Sequence, residues 1–187
     1  MDLQELQEAA ASCTLCELSK GRLNPVFAKG DSSSNIMICG MVPAMEENKV
    51  GLPFVGRAGK LLDHILNDVA IPRGSVYITN LVKCFLAAGL PLNQDWIDAC
   101  FPYLITQIGL TKPKVVLTLG KDATTTLLGL SNKIPLGKVR GKAFEYGDIK
   151  VIPTYHPSYL LRKGGTSSGD YPKVIDDFLM AKEIANA

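Results

Sequence analysis

The chain has 187 residues, of which 47% are hydrophobic and 20% charged, with a net charge of +2. This balance fits a globular domain with a sizeable core and excludes a disordered tail or a low-complexity repeat. No apolar run approaches the roughly 20 residues of a membrane helix, and the acidic, helix-forming start lacks the basic and apolar regions of a signal peptide. The expectation is a cytoplasmic protein with no membrane partner.

In chain order, residues 3–12 read as a short amphipathic helix leading into Cys13-x-x-Cys16. Residues 29–35 read as a surface loop. Ile36–Cys39 is a buried strand candidate, closed by Gly40 and a proline-containing segment. Residues 57–69 carry Leu61, Leu62, Ile65, Leu66 and Val69 at helical spacing, with His64 as a structural surface residue. Residues 76–79 form a second strand running into Asn80, and residues 95–108 a helix with Cys100 on its first turns. A third strand, 115–119, is followed by Gly120 and a helix over 121–128. Residues 143–146 and 150–153 pair as a hairpin turning at Gly147-Asp148, and the second arm runs into His156. Residues 163–170 read as a mobile loop before a last helix over 171–185.

Strands alternating with helices predict an α/β fold: a three-layer α/β/α sandwich around a mostly parallel central sheet of about four strands. No linker or internal repeat interrupts the chain, so residues 1–187 form one domain. Each polar motif lies just past the carboxyl end of a strand, where open α/β sheets bind ligands.

A reducing compartment disfavours a disulfide framework and favours metal or cluster binding by Cys13, Cys16, Cys84 and Cys100. Thiolates suit Zn and iron–sulfur groups alike, and spacing does not separate the two. Cys39, inside the apolar run Ile36–Cys39, reads as a core thiol. Lys133, Lys138, Arg140 and Lys142 cluster within ten residues, a pattern shared by phosphate-contacting patches and ordinary solvated faces.

Four ordered segments carry the chemistry: Gly51-Leu-Pro-Phe-Val-Gly-Arg-Ala-Gly-Lys-Leu-Leu62, Asn80-Leu-Val-Lys-Cys84, Cys100-Phe-Pro-Tyr-Leu104 and His156-Pro-Ser-Tyr-Leu-Leu-Arg162. Together with the cysteines they resemble the iron–sulfur uracil-DNA glycosylases, usually called family four, over most of the chain from Cys13 to Arg162. The resemblance implies excision of uracil from single- or double-stranded DNA by hydrolysis of the N-glycosidic bond, in base excision repair near the nucleoid. It implies a [4Fe–4S] cluster on Cys13, Cys16, Cys84 and Cys100, with a structural role.

The residue types suit that reaction. A glycosylase must flip the base out and read its Watson–Crick edge. Phe54 offers a stacking face, and the Asn80 amide carries both the acceptor and the donors that uracil N3–H and O4 require. His156 can donate to uracil O2 as the departing base gains charge. Asn80 and His156 are thus the expected catalytic pair, with Gly40, Met41, Val42 and Phe54 completing the base pocket. Arg57, Lys60, Ser158 and Arg162 are the expected DNA contacts, and Pro157 the apolar wedge. A monomer is expected.

Two departures stand out. The family has a Glu directly after the first-motif glycine, where this chain has Met41, which neither orients water nor accepts a proton. Met41-Val42-Pro43-Ala44 looks more like the apolar first motif of family-five glycosylases, which have broader base specificity, and Glu46, Glu47 and Asn48 follow as substitutes for the missing carboxylate. The second is the apolar stretch Phe85–Asn93, where the family has a polar, Arg- and Pro-containing one. Alternatives are therefore a glycosylase with shifted specificity and a catalytically weak DNA-binding protein of the same fold.

Overall fold

The computed structural model describes residues 1–187. Its sheet has six strands: β1 (Lys29–Gly30), β2 (Ile36–Gly40), β3 (Tyr77–Asn80), β4 (Val115–Leu119), β5 (Phe144–Tyr146) and β6 (Ile149–Thr154), in the order β1-β3-β2-β4-β6-β5. The four central strands are parallel, and β1 and β5 add antiparallel edges. Every residue of β2, β3 and β4 is buried, as expected for strands covered on both faces.

The period-two alternation of a strand divides the core. Ile36 and Ile38 point into one apolar layer with Leu62, Ile65, Val115, Leu117 and Phe178. Met37 and Cys39 point into the other with Leu81, Leu104, Val116, Leu127 and Val151. Nine helices surround the sheet: α1 (Leu3–Ala11), α2 (Leu18–Gly21), α3 (Met45–Val50), α4 (Arg57–Asp68), α5 (Gln94–Thr111), α6 (Lys121–Leu128), α7 (Leu136–Val139), α8 (Pro157–Arg162) and α9 (Tyr171–Asn186). Helices α4, α8 and α9 supply the first layer, and α5 and α6 the second. Helix α1 starts with a capping box between Asp2 and Glu5. It lies on α5, where Leu6 and Ala10 meet Phe27 and Tyr103. No helix is long and apolar enough to cross a membrane.

The α/β sandwich is as expected, but the sheet is mixed and larger than four strands. The extra edge strand β1 lies in the segment read as a loop. Two residues carry no periodicity, and β1 exists through its pairing with Tyr77 and Ile78. Ser34, in the same segment, is buried, and its hydroxyl accepts from Ile36 N at 3.1 Å. The 163–170 segment likewise contains a 3₁₀ turn, Gly165–Ser167, and a buried Ser168 whose hydroxyl accepts from Asp170 N. His64 is exposed and Cys39 fully buried, as read.

Among the parallel strands, β2 comes first in the chain and sits between β3 and β4. The strand order therefore reverses beside β2, and a crevice opens at the carboxyl ends there.

Candidate active site

Gly40 ends β2 directly opposite Asn80, the last residue of β3. A Cβ on Gly40 would lie 2.4 Å from Asn80 Oδ1 and 2.5 Å from the Phe54 ring, so only glycine fits between them. Past the strands, Leu81 N donates to Gly40 O and Val82 N to Met41 O, both at 2.9 Å. These bonds carry the ladder into the two motif loops.

Phe54 has a φ of 53°, in the left-handed region, which costs a non-glycine residue about 1–3 kcal/mol unless its surroundings enforce it. Arg73 enforces it. Its Nη2 donates to the carbonyls of Pro53 at 2.9 Å and Phe54 at 2.8 Å, while Nη1 pairs with Asp63 at 2.7 Å. Gly59 completes the clamp, because a Cβ there would sit 1.9 Å from the Phe54 carbonyl oxygen. Sequence reading missed Arg73, which lies outside every quoted motif.

Asn80 is held from below by Lys83. The buried Lys83 Nζ donates to Asn80 O at 2.5 Å, Thr79 Oγ1 at 2.7 Å and Gln107 Oε1 at 2.6 Å. Burial draws its pKa down to about 8, and its three donors meet three oxygens. Lys83 joins the Asn80 strand end to the cysteine-bearing segment.

His156 is itself the N-cap of α8. Its Nδ1 accepts from Ser158 N at 3.0 Å and lies 2.8 Å from Ser158 Oγ. A ring nitrogen that accepts a backbone N–H carries no hydrogen, so the remaining hydrogen sits on Nε2. Burial, aided by the Arg162 charge, lowers the His156 pKa to about 4. The ring is thus neutral at physiological pH with one N–H to give. Gly120, at φ 92°, packs against it, and a Cβ there would stand 3.3 Å from His156 Cβ.

These groups line one cleft of about 650 Å³, with Met41, Val42, Phe54, Asn80, His156, Ser158 and Arg162 among its walls. Arg57 and Lys60 lie exposed on α4, away from the lining. Pro157 is buried as the first residue of α8. The expected wedge is therefore a helix start, since the fixed φ of proline suits that position, and it offers no apolar surface to a partner. Arg140 is not a free cation either: its guanidinium makes two bonds to the buried Asp177, at 3.0 and 2.5 Å.

Glu47 on α3 also lines the cleft. It is 6% exposed, and its Oε1 accepts only a long bond, 3.5 Å, from Gly56 N. Its Oε2 is the one buried side-chain oxygen or nitrogen without a partner. Such an atom in an otherwise satisfied interior calls for a functional explanation.

Cys13, Cys16, Cys84 and Cys100 line a second, mostly apolar cavity with Arg22, Lys83 and Tyr103. All are free thiols. Arg22 Nη1 donates to Cys84 Sγ at 3.2 Å, and Lys83 backbone N to Cys100 Sγ at 3.3 Å. Burial raises both thiols, Cys100 to about 11, while Arg22 and Lys83 oppose the rise. No three Cys, His, Asp or Glu side chains stand close enough together to hold a single metal ion. Cys39 lies outside this cavity, and burial pushes it up to about 12.

The family model described as "Uracil DNA glycosylase superfamily" matches residues 27–179. Among curated relatives, the type-4 uracil-DNA glycosylase of Pyrobaculum aerophilum is 39% identical over 169 residues, covering 87% of this chain and 86% of its own. That of Saccharolobus solfataricus is 40% identical over 167 residues, covering 86% and 77%. A type-5 uracil-DNA glycosylase of Pyrobaculum aerophilum is more distant, at 26% over 151 residues, covering 73% and 66%. A family match over most of the chain, carried by relatives of this similarity, places the chain in the uracil DNA glycosylase superfamily, beside its type-4 members.

Proposed function

We propose that this protein excises uracil from DNA by hydrolysing the N-glycosidic bond. The observation that carries the reading is the convergence of the Phe54 ring, the Asn80 amide and the neutral His156 N–H in one cleft. Phe54 stacks on the flipped base, and Asn80 pairs with uracil N3–H and O4. His156 Nε2–H donates to O2, joined there by backbone N–H groups of Met41 and Val42. As the C1′–N1 bond breaks, its electron pair passes to the uracil ring, and a fixed donor at O2 stabilises the anion. A neutral imidazole held by Ser158 fits this task, since it keeps its proton and needs no reorientation.

The nucleophile is water. Met41 cannot orient it, and we assign that role to Glu47, a residue of the cleft wall whose buried Oε2 has no partner. The water oxygen bonds to C1′ and Glu47 takes the released proton, which it returns to solvent, while the uracil anion leaves and is protonated by solvent water. Arg162 and Ser158 contact the flanking backbone. A broader base range is the second reading, favoured by Met41, Val42 and the apolar Leu86–Leu90 wall of the cleft.

We assign a [4Fe–4S] cluster to Cys13, Cys16, Cys84 and Cys100. Two N–H donors already aim at sulfur, as thiolate ligands require. The bound cluster supplies a cross-link between the N-terminal segment and the Asn80 segment. The protein acts on DNA as a single-domain monomer.

The test is incubation with oligonucleotides carrying uracil, hydroxymethyluracil, hypoxanthine or only normal bases, followed by alkaline cleavage of abasic sites. Strand cleavage at uracil is the expected result. Cleavage at none of them, with DNA binding retained, would sink the enzyme reading.

A further inference from the structure

We propose that the turn Ala87–Leu90 is a wedge that enters the base stack of duplex DNA beside the flipped nucleotide, with Leu90 as the inserted side chain. The proposal rests on the excision reading of the cleft and concerns a segment that reading does not use.

Residues Leu86–Leu90 form one wall of the cleft that holds Phe54, Asn80 and His156. Leu86 is buried at the root, where its N–H donates to Pro43 O at 3.4 Å. The tip is a closed turn: Leu90 N donates to Ala87 O at 3.3 Å, and Gly89 in its third position has a φ of 83°. A positive φ at that position is what a type II turn requires. The tip is therefore a set shape carried on the same segment as Cys84, two residues before Leu86.

No residue from Cys84 to Gln94 is charged, and Ala87, Ala88, Gly89, Leu90 and Pro91 are all exposed. A lone exposed leucine needs no explanation on a protein surface. Leu90, 58% exposed, differs because it stands at the mouth of a base-sized site. Lys121 and Arg162 line the same cleft and are exposed, suitably placed for backbone phosphates.

On the opposite rim Pro157 and Leu160 are buried, and Tyr159 is stacked on Tyr155 with its hydroxyl bonded to Asp170 at 2.7 Å. That side offers cations and hydroxyls but no exposed apolar side chain. Flipping a base leaves a gap in the stack, and proteins that hold such sites fill it with an apolar side chain. In this chain Leu90 is the side chain placed to do so.

A single strand has no continuous stack to plug, which gives the test. Uracil excision by wild type and Leu90→Ala is compared on duplex and single-stranded oligonucleotides, after matching their melting temperatures. The variant is expected to lose about tenfold more rate on duplex than on single strand, and Leu90→Met to recover most of it. An unchanged duplex-to-single-strand ratio overturns the wedge. In parallel, 2-aminopurine is placed beside an abasic-site analogue in a duplex. Wild-type binding should brighten it by unstacking, and Leu90→Ala should brighten it less. Equal brightening also overturns the wedge. This second measurement needs only binding, so it decides the wedge even if wild type released no uracil, the result that overturns the excision reading instead.

Discussion

The ring centroids of Phe54 and His156 lie 5.7 Å apart in the wall of the cleft, with the ring planes tilted by 30°. They arrive from opposite ends of the chain, one on a strained loop after α3 and the other as the cap of α8. Their spacing is therefore a property of two separate clamps, Arg73 on Phe54 and Ser158 on His156. Each clamp gives a prediction.

Removing the Arg73 clamp should free Phe54 from its left-handed backbone and blur the stacking face. Arg73→Ala is expected to raise KM for uracil-containing DNA by about tenfold, the scale of one lost base–aromatic stack, with a smaller change in kcat. Steady-state kinetics checks this, and Arg73→Lys should restore part of the loss. An unchanged KM would mean that Phe54 holds its place without Arg73.

The low pKa of His156 has a definite sign. Its folded value of about 4 lies below the ordinary 6.5, so the unfolded chain binds the proton first as pH falls. The neutral ring costs nothing above pH 6.5, and stability drains away between 6.5 and about 4. At pH 5 the loss attributable to this group is at most about 2 kcal/mol. Urea denaturation of wild type and His156→Gln at pH 7 and pH 5 isolates that component as the difference between them. The excision rate should show no inflection near pH 6.5, because the donor form is already complete there.

Glu47 and Met41 form a third test. Glu47→Gln is expected to lower kcat by about 10²-fold, the usual scale for a positioned base, with little effect on KM. Adding Met41→Glu in that background should recover part of the rate, since it returns a carboxylate to the first motif. Failure of Glu47→Gln to lower kcat would leave the unpaired Oε2 without a role in water activation.

For the cysteine cavity, the purified protein should show the broad visible absorption of thiolate-bound iron, with iron and sulfide in equal amounts. Cys84→Ser should bleach it and lower the melting temperature. It should also weaken excision through Lys83, whose backbone faces Cys100 and whose Nζ holds Asn80 O. A colourless protein carrying Zn would contradict the assignment.

Much of the fold was legible because its parts are local. Val115–Leu119, apolar except for Thr118, is a short run between Pro113 and Gly120, and α4 shows its face at helical spacing. Glycine and asparagine at strand ends marked the site for the same reason. Other features depend on contacts that are distant in sequence. β1 exists only through its pairing with β3. Arg73 acts on Phe54 from 19 residues away, through a backbone conformation that no residue type announces. Pro157 suits an apolar wedge by residue type, yet packing buries it as the first residue of α8. Glu47 drew notice only as one of three polar residues after the first motif, and its burial sets it apart from the exposed Glu46.

The central claim is that Asn80 and His156 read and release uracil, and single-turnover excision on a uracil-containing oligonucleotide tests it most directly. Wild type should release uracil, while Asn80→Ala and His156→Ala should each slow the chemical step by about 10²–10³-fold, the range for losing one preorganised donor. Uracil release that continues at the wild-type rate in either variant would contradict the account.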